Sequence, residues 1–218
     1  FLDIPAQVHG RAVPVDAVDC GDRVSMNSAS MGMDAAVAQK MVRYKNLPLV
    51  SGPMSYNLAI ADVFCHRIGV DLHVVMDTPD GPVERRGRYF FALAACARFY
   101  GGGYCGAPGA LVDDGLLDVV LLKPVPRLKL PGLLGGYKKG EHLTPDGTVT
   151  EKFRPYLTYF RTSAIDIRVL DPKPMITTLD GECSPQKTLH AETARRSARI
   201  LLPPKLAYNA PVLQVMGE

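Results

Sequence analysis

Two apolar runs, Phe90 to Cys96 and Leu116 to Leu122, flank a connection that is too particular to be an ordinary turn. From Gly101 to Asp118 it reads Gly-Gly-Gly-Tyr-Cys-Gly-Ala-Pro-Gly-Ala-Leu-Val-Asp-Asp-Gly-Leu-Leu-Asp, with six glycines, one proline and paired aspartates. The runs have the length and bounding residues of buried strands. Glycine accepts positive φ and lets a second backbone come close, so this many in one link demand a shaped loop. Asp113-Asp114-Gly115 can cap a tight turn, leaving one carboxylate to face a cation; a plain turn before a strand is the other reading.

Composition removes several classes of function. A chain of 218 residues, 47% hydrophobic and 22% charged, can bury a substantial core as one large domain or two small ones. Its formal charge of +3 is too small to argue for nucleic acid as a partner, though a local basic patch could still meet an acidic surface. No apolar run is long enough to span a bilayer, and none has the form of a signal peptide. Cys20, Cys65, Cys96, Cys105 and Cys183 are odd in number and widely spaced, as expected of reduced cytosolic thiols rather than a disulfide frame or a zinc site. Beginning at Phe1, the chain is expected to be a fragment of a longer protein.

Elsewhere the periodicities predict a strand over Ala12–Cys20 and a polar loop from Ser25 that ends in a helix start near Asp34. Helices are expected over Ala35–Tyr44 and Ser55–Ile68. A hairpin follows, Leu72–Met76 and Val83–Arg88 about the turn Asp77–Pro82, with Arg85, Arg86 and Arg88 on a solvated edge. Lys123 to Gly140 interleaves leucines with cations. It reads as a short helix on a sheet, or as a surface for anionic lipid headgroups. Strands are expected over Ala164–Leu170, Pro174–Leu179 and Ala198–Leu202. Asn27 is expected to bond backbone groups in a turn.

Three stretches, in this order, resemble one family. They are Asn27-x-x-Ser30-x-Gly32-x-Asp34-Ala35, then Gly101-Gly102-Gly103 with Ala107-Pro108-x-Ala110 and Asp113-Asp114-Gly115-Leu116-Leu117-Asp118, then Asp180-Gly181-Glu182. Alone, Asp-Gly is a common hairpin turn. Together they resemble the C-terminal half of the diacylglycerol kinase catalytic family, which includes soluble bacterial lipid kinases and the sphingosine and ceramide kinases. One departure stands out: many members carry asparagine where this chain has Cys96.

The resemblance implies a mostly β fold, an antiparallel sandwich with inserted helices, as in the C-terminal domain of NAD kinase and diacylglycerol kinase-like folds. It implies that residues 1–218 are the lipid-substrate and catalytic domain. The ATP-binding domain and its Gly-Gly-Asp-Gly-Thr loop would lie outside the chain, which alone would be inactive. Phosphorylation of a lipid hydroxyl, diacylglycerol first, would use Glu182 as general base with Asp180 orienting the site. A magnesium ion would sit on the Asp114 side chain and the carbonyls of Leu111 and Leu116. Partners would be the lipid at a membrane surface and the protein's own nucleotide-binding domain, in the cytoplasm and peripheral to the membrane. The sequence leaves a homodimer open. It also leaves open a sphingoid-base or ceramide kinase, and a non-catalytic lipid-binding or regulatory module.

Overall fold

The computed structural model describes residues 4–48, 50–65 and 69–203. In chain order the helices are α1 (Ile4–Val8), α2 (Met33–Lys45), α3 (Gly52–Cys65) and α4 (Leu130–Lys138). The strands are β1 (Arg11–Asp19), β2 (Val24–Ser25), β3 (Ser28–Gly32), β4 (Val70–Thr78), β5 (Gly81–Tyr89), β6 (Phe91–Ala95), β7 (Leu117–Leu122), β8 (Leu157–Thr162), β9 (Ala164–Val169), β10 (Met175–Leu179), β11 (Glu182–Gln186) and β12 (Thr188–Leu202). They form two six-stranded sheets, in the orders β2-β1-β12-β9-β4-β5 and β11-β10-β3-β6-β7-β8. The strand pairings within them are antiparallel, so the expected mostly β sandwich is what the chain forms.

The two apolar runs lie at the heart of the second sheet, and their uniform hydrophobicity has a cause. On β6 and β7, Ala92, Ala94, Leu117, Val119 and Leu121 point between the sheets, against Leu72, Val74, Ile165 and Ile167. The alternate residues, Phe91, Leu93, Val120 and Leu122, point outward but are covered by Tyr104, Leu130, Leu133, Tyr137 and Phe153. A strand buried on both faces has no polar position to alternate with. The Lys123–Gly140 stretch therefore supplies, through α4, the short helix that closes this outer face.

Two elements differ from expectation. Ser28–Gly32, read as part of a polar loop, is a fully buried strand between β10 and β6. Its small side chains let the neighbouring layers close over it, and β-pairing outweighs the turn preference of Ser and Asn. The C-terminal strand is far longer than Ala198–Leu202: β12 runs fifteen residues and bridges β1 and β9. The arginine-bearing β5 is an edge strand, as expected. Of the helix expected over Ser55–Ile68, residues 66–68 lie outside the described residues.

His142 lies in this outer layer. It is fully buried, 4.6 Å from the Tyr137 ring and 5.8 Å from Phe153, with Nε2 3.1 Å from the Gly106 carbonyl. Burial pushes its pKa from 6.5 down to about 4. The folded pKa lies below the unfolded one, so this contribution to stability is present above pH 6.5 and is lost as pH falls toward 4. The loss amounts to about 3 kcal/mol. Urea unfolding across that window should show a smaller acid-side loss for His142→Gln than for the wild type; parallel curves would refute it.

Candidate functional site

The Asp180-Gly181-Glu182 hairpin joins β10 to β11 and orients its two carboxylates differently. Asp180 (φ 48) and Gly181 (φ 99) are the central pair of a tight antiparallel turn, with Leu179 facing Glu182. Both central residues have positive φ, the form that matches strand twist and suits Asp-Gly. In that conformation the Asp180 carboxylate reaches the turn before β3. Oδ2 accepts from the Met26 amide at 2.5 Å, and Oδ1 accepts from the amides of Asn27 and Ser28, both at 3.1 Å. Asp180 thus orders the Asn27 segment. Removing these acceptors with Asp180→Ala should cost about 2 kcal/mol in urea unfolding, while Asp180→Asn should keep at least half of the stabilisation. Equal losses would mean that the one acceptor oxygen Asn retains contributes nothing.

Glu182 points elsewhere. Its side chain is 81% exposed and pairs with Arg23 at 3.3 Å, so the structure does not bring the two acids together on one partner. Asn27 bonds backbone, though not within its own turn as expected: Nδ2 donates to the Phe99 carbonyl, 72 residues away, at 2.9 Å. Cys96, the departure noted in the sequence, packs against the same turn. It is buried with Sγ 3.4 Å from the Met26 and Asn27 carbonyls, and burial pushes its pKa up to about 12. The protonated thiol is the donor toward those carbonyls.

Next to this turn opens a cleft of about 360 Å³ lined by Met26, Asn27, Asp34, Gly101, Gly102 and Asp180, among others. Behind it lies a smaller apolar cavity of about 50 Å³, walled by Val37, Phe91, Leu130, Leu133, Tyr137 and Phe153. Asp34 and Tyr100 line both. Asp34 opens α2, where its charge suits the helix dipole, and Oδ1 accepts from the Ala35 amide at 2.8 Å. Oδ2 is buried without a partner at hydrogen-bonding geometry. Burial pushes the Asp34 pKa up to about 6, with Ser30 beside it holding the rise in check.

The Asp114 loop is tied down by residues from distant parts of the chain. Asp114 Oδ1 accepts from the Leu116 amide at 3.0 Å, and Oδ2 pairs with Arg161 of β8. Both carboxylate oxygens are therefore engaged. A guanidinium holds the place a cation would need, so the residues as arranged do not fit a magnesium ion. Leu111 and Leu116 flank Asp114 in the same half-buried loop. Asp16, buried in β1 and not singled out in the sequence, fastens this loop to β12. Its Oδ2 accepts from the Gly115 amide and its Oδ1 from the Arg196 amide, both at 2.7 Å. Its signal was an acid on a strand position flanked by Val15, Ala17 and Val18. Among the described residues there is no cluster of three or more His, Cys, Asp or Glu side chains able to hold a metal. None of their helices is long and apolar enough to cross a membrane.

A two-sheet sandwich with this cleft is the fold of a known class. Residues 27–202 match the model of the YegS C-terminal NAD kinase beta sandwich-like domain, and the chain belongs to that family. It is 26% identical over 207 residues to a protein of Shewanella frigidimarina (strain NCIMB 400) named "Probable lipid kinase YegS-like". The match covers 94% of this chain and 60% of that relative, so the chain spans less than two thirds of the relative's length. Two solved structures from Bacillus anthracis str. Sterne share the fold. One, of a "diacylglycerol kinases" protein, superposes at a TM-score of 0.57 and 11% identity, covering 90% of this chain and 56% of the other. The second, of a "putative diacylglycerol kinase", reaches 0.62 at 14% identity, covering 93% and 62%.

Proposed function

We propose that the protein to which this chain belongs transfers the γ-phosphate of ATP to a lipid hydroxyl, converting diacylglycerol to phosphatidic acid. The observation that carries the reading is the junction at Asp34 and Tyr100, where a polar cleft and an apolar cavity share a wall. An amphiphilic alcohol suits such a junction: its hydroxyl stays among the polar groups of the cleft while the carbons next to it meet the apolar wall. Membership in a family with a relative named as a lipid kinase supports the same reading.

In this mechanism Glu182 accepts the hydroxyl proton as the oxygen attacks the γ-phosphorus and ADP leaves. Arg23 holds the Glu182 carboxylate, and Asp180 keeps the hairpin on the Met26–Ser28 turn, setting where that base stands. ATP would be held chiefly by a separate nucleotide-binding domain, since residues 1–218 contain no Gly-Gly-Asp-Gly-Thr or Gly-x-x-x-x-Gly-Lys loop. The chain alone is then inactive. Magnesium supplies charge neutralisation at the phosphates of such reactions. An ion at Asp114, Leu111 and Leu116 would first have to displace Arg161. The protein works in the cytoplasm at the membrane surface, where ATP and its lipid meet.

The test is transfer of labelled phosphate from ATP to diacylglycerol in mixed micelles, using the full-length parent protein. Labelled phosphatidic acid is the expected product. Phosphorylation of sphingosine or ceramide in its place would move the assignment to those substrates. With no transfer to any of the three, a non-catalytic lipid-binding module would remain, a reading favoured by the exposure of Glu182.

A further inference from the structure

The segment between the apolar cavity and solvent carries a surface that the proposed chemistry does not use. From Val119 to Gly140 the chain has no acidic residue but contains Lys123, Arg127, Lys129, Lys138 and Lys139, all exposed. Among the described residues no carboxylate pairs with Lys123, Arg127, Lys129 or Lys138; only Lys139 approaches one, 3.8 Å from Glu141. At the tip, Leu128 is 97% exposed between Arg127 and Lys129. It is held there by a tight turn in which the Lys129 amide donates to the Pro126 carbonyl at 2.9 Å. Two residues later Leu130 already lines the apolar cavity.

A leucine thrust into water between Arg127 and Lys129, cations with no carboxylate partner among the described residues, has a specific complement. Its burial is favourable only against an apolar phase, and the cations favour a phase whose rim is negative. A bilayer rich in anionic phospholipid offers both at the depth a single turn can reach. We propose that the Pro126–Lys129 turn, with Lys123 shortly before it in the chain, is the membrane-docking surface of this protein and binds anionic lipid bilayers. Docking there places the start of α4, and the cavity it covers, next to the acyl layer. This deepens the lipid-kinase reading and rests on it for its purpose, though binding can be measured without catalysis.

The test is co-sedimentation of the protein with vesicles of phosphatidylcholine alone and of phosphatidylcholine mixed with phosphatidylglycerol. Binding is expected only to the mixed vesicles and should weaken as salt is raised. Arg127→Glu/Lys129→Glu should lower partitioning by about tenfold or more. Leu128→Ser should lower it by about threefold, through loss of the inserted side chain. Lys173→Glu/Arg199→Glu makes the same change in net charge at exposed positions outside this segment and should leave binding within about twofold of the wild type. The proposal is overturned if anionic vesicles are not bound, if the Lys173/Arg199 pair matters as much, or if Leu128→Ser has no effect. Phosphate transfer in detergent micelles separates the two readings. Selective vesicle binding without transfer leaves the surface standing and removes the kinase assignment, and the reverse outcome does the opposite.

Discussion

Glu182→Gln, made in a protein that also carries the nucleotide-binding domain proposed above, is expected to lower kcat for lipid phosphorylation by about 10²–10⁴-fold while leaving the fold intact. The size follows from the role: a primary alcohol barely ionises at neutral pH, and an amide cannot take up its proton as attack proceeds. The unchanged stability follows from the structure. The Glu182 side chain is 81% exposed with a single ion pair to Arg23, and exposed pairs contribute about 0–1 kcal/mol. Urea unfolding and steady-state kinetics on the same sample separate the two effects. If kcat is retained, the base lies elsewhere. Asp180 would be the next acid to test, although its three amide contacts make a loss of activity there harder to separate from a loss of order.

The largest effect on stability is expected at Gly32. This residue ends β3 with φ 133, and a Cβ placed on it would lie 2.5 Å from the Phe90 carbonyl oxygen and 2.7 Å from the Phe91 Cα. Both are backbone atoms at the entry to β6, where Gly32 pairs with Phe91 and the Met33 amide donates to the Phe90 carbonyl at 3.0 Å. Nothing flexible can give way. Gly32→Ala must push β3 from β6 or strain the start of α2, at a cost of about 3 kcal/mol or more. Gly81→Ala is the control. Its φ is 114 with nothing within 4 Å of the added atom, so it carries the backbone strain without the clash and should cost about 1 kcal/mol. Equal losses at the two positions, measured by chemical denaturation, would mean that the close approach of β3 to β6 is not the cause.

Gly32 shows how far the sequence could be read. Its place in Asn27-x-x-Ser30-x-Gly32-x-Asp34-Ala35 marked it as part of a recognisable segment. That the segment is a buried strand was hidden, because Ser28, Ser30 and Gly32 have the local preferences of a turn and their partners arrive from β10 and β6. Strand β12 was hidden for a similar reason. Thr188 to Arg199 mixes charged and small residues, and its pairing with β1 and β9 lies far off in sequence. In contrast, β6, β7 and the β4–β5 hairpin were legible. Their signals are local: an unbroken apolar run, or alternation about a Pro-Asp-Gly turn.

The same division runs through the candidate site. By itself the sequence determined the Asp180-Gly181 turn, the shaped glycine loop before β7 and the order of the three motifs, because backbone geometry and residue type act over a few positions. Only the tertiary structure decided what each acid does. It places Asp180 on amides 152–154 residues away, Glu182 on Arg23, Asp114 on Arg161, and Asp16 between residues 99 and 180 positions distant. A carboxylate takes the donors that folding brings to it, and those donors come from strands that meet only once both sheets are formed.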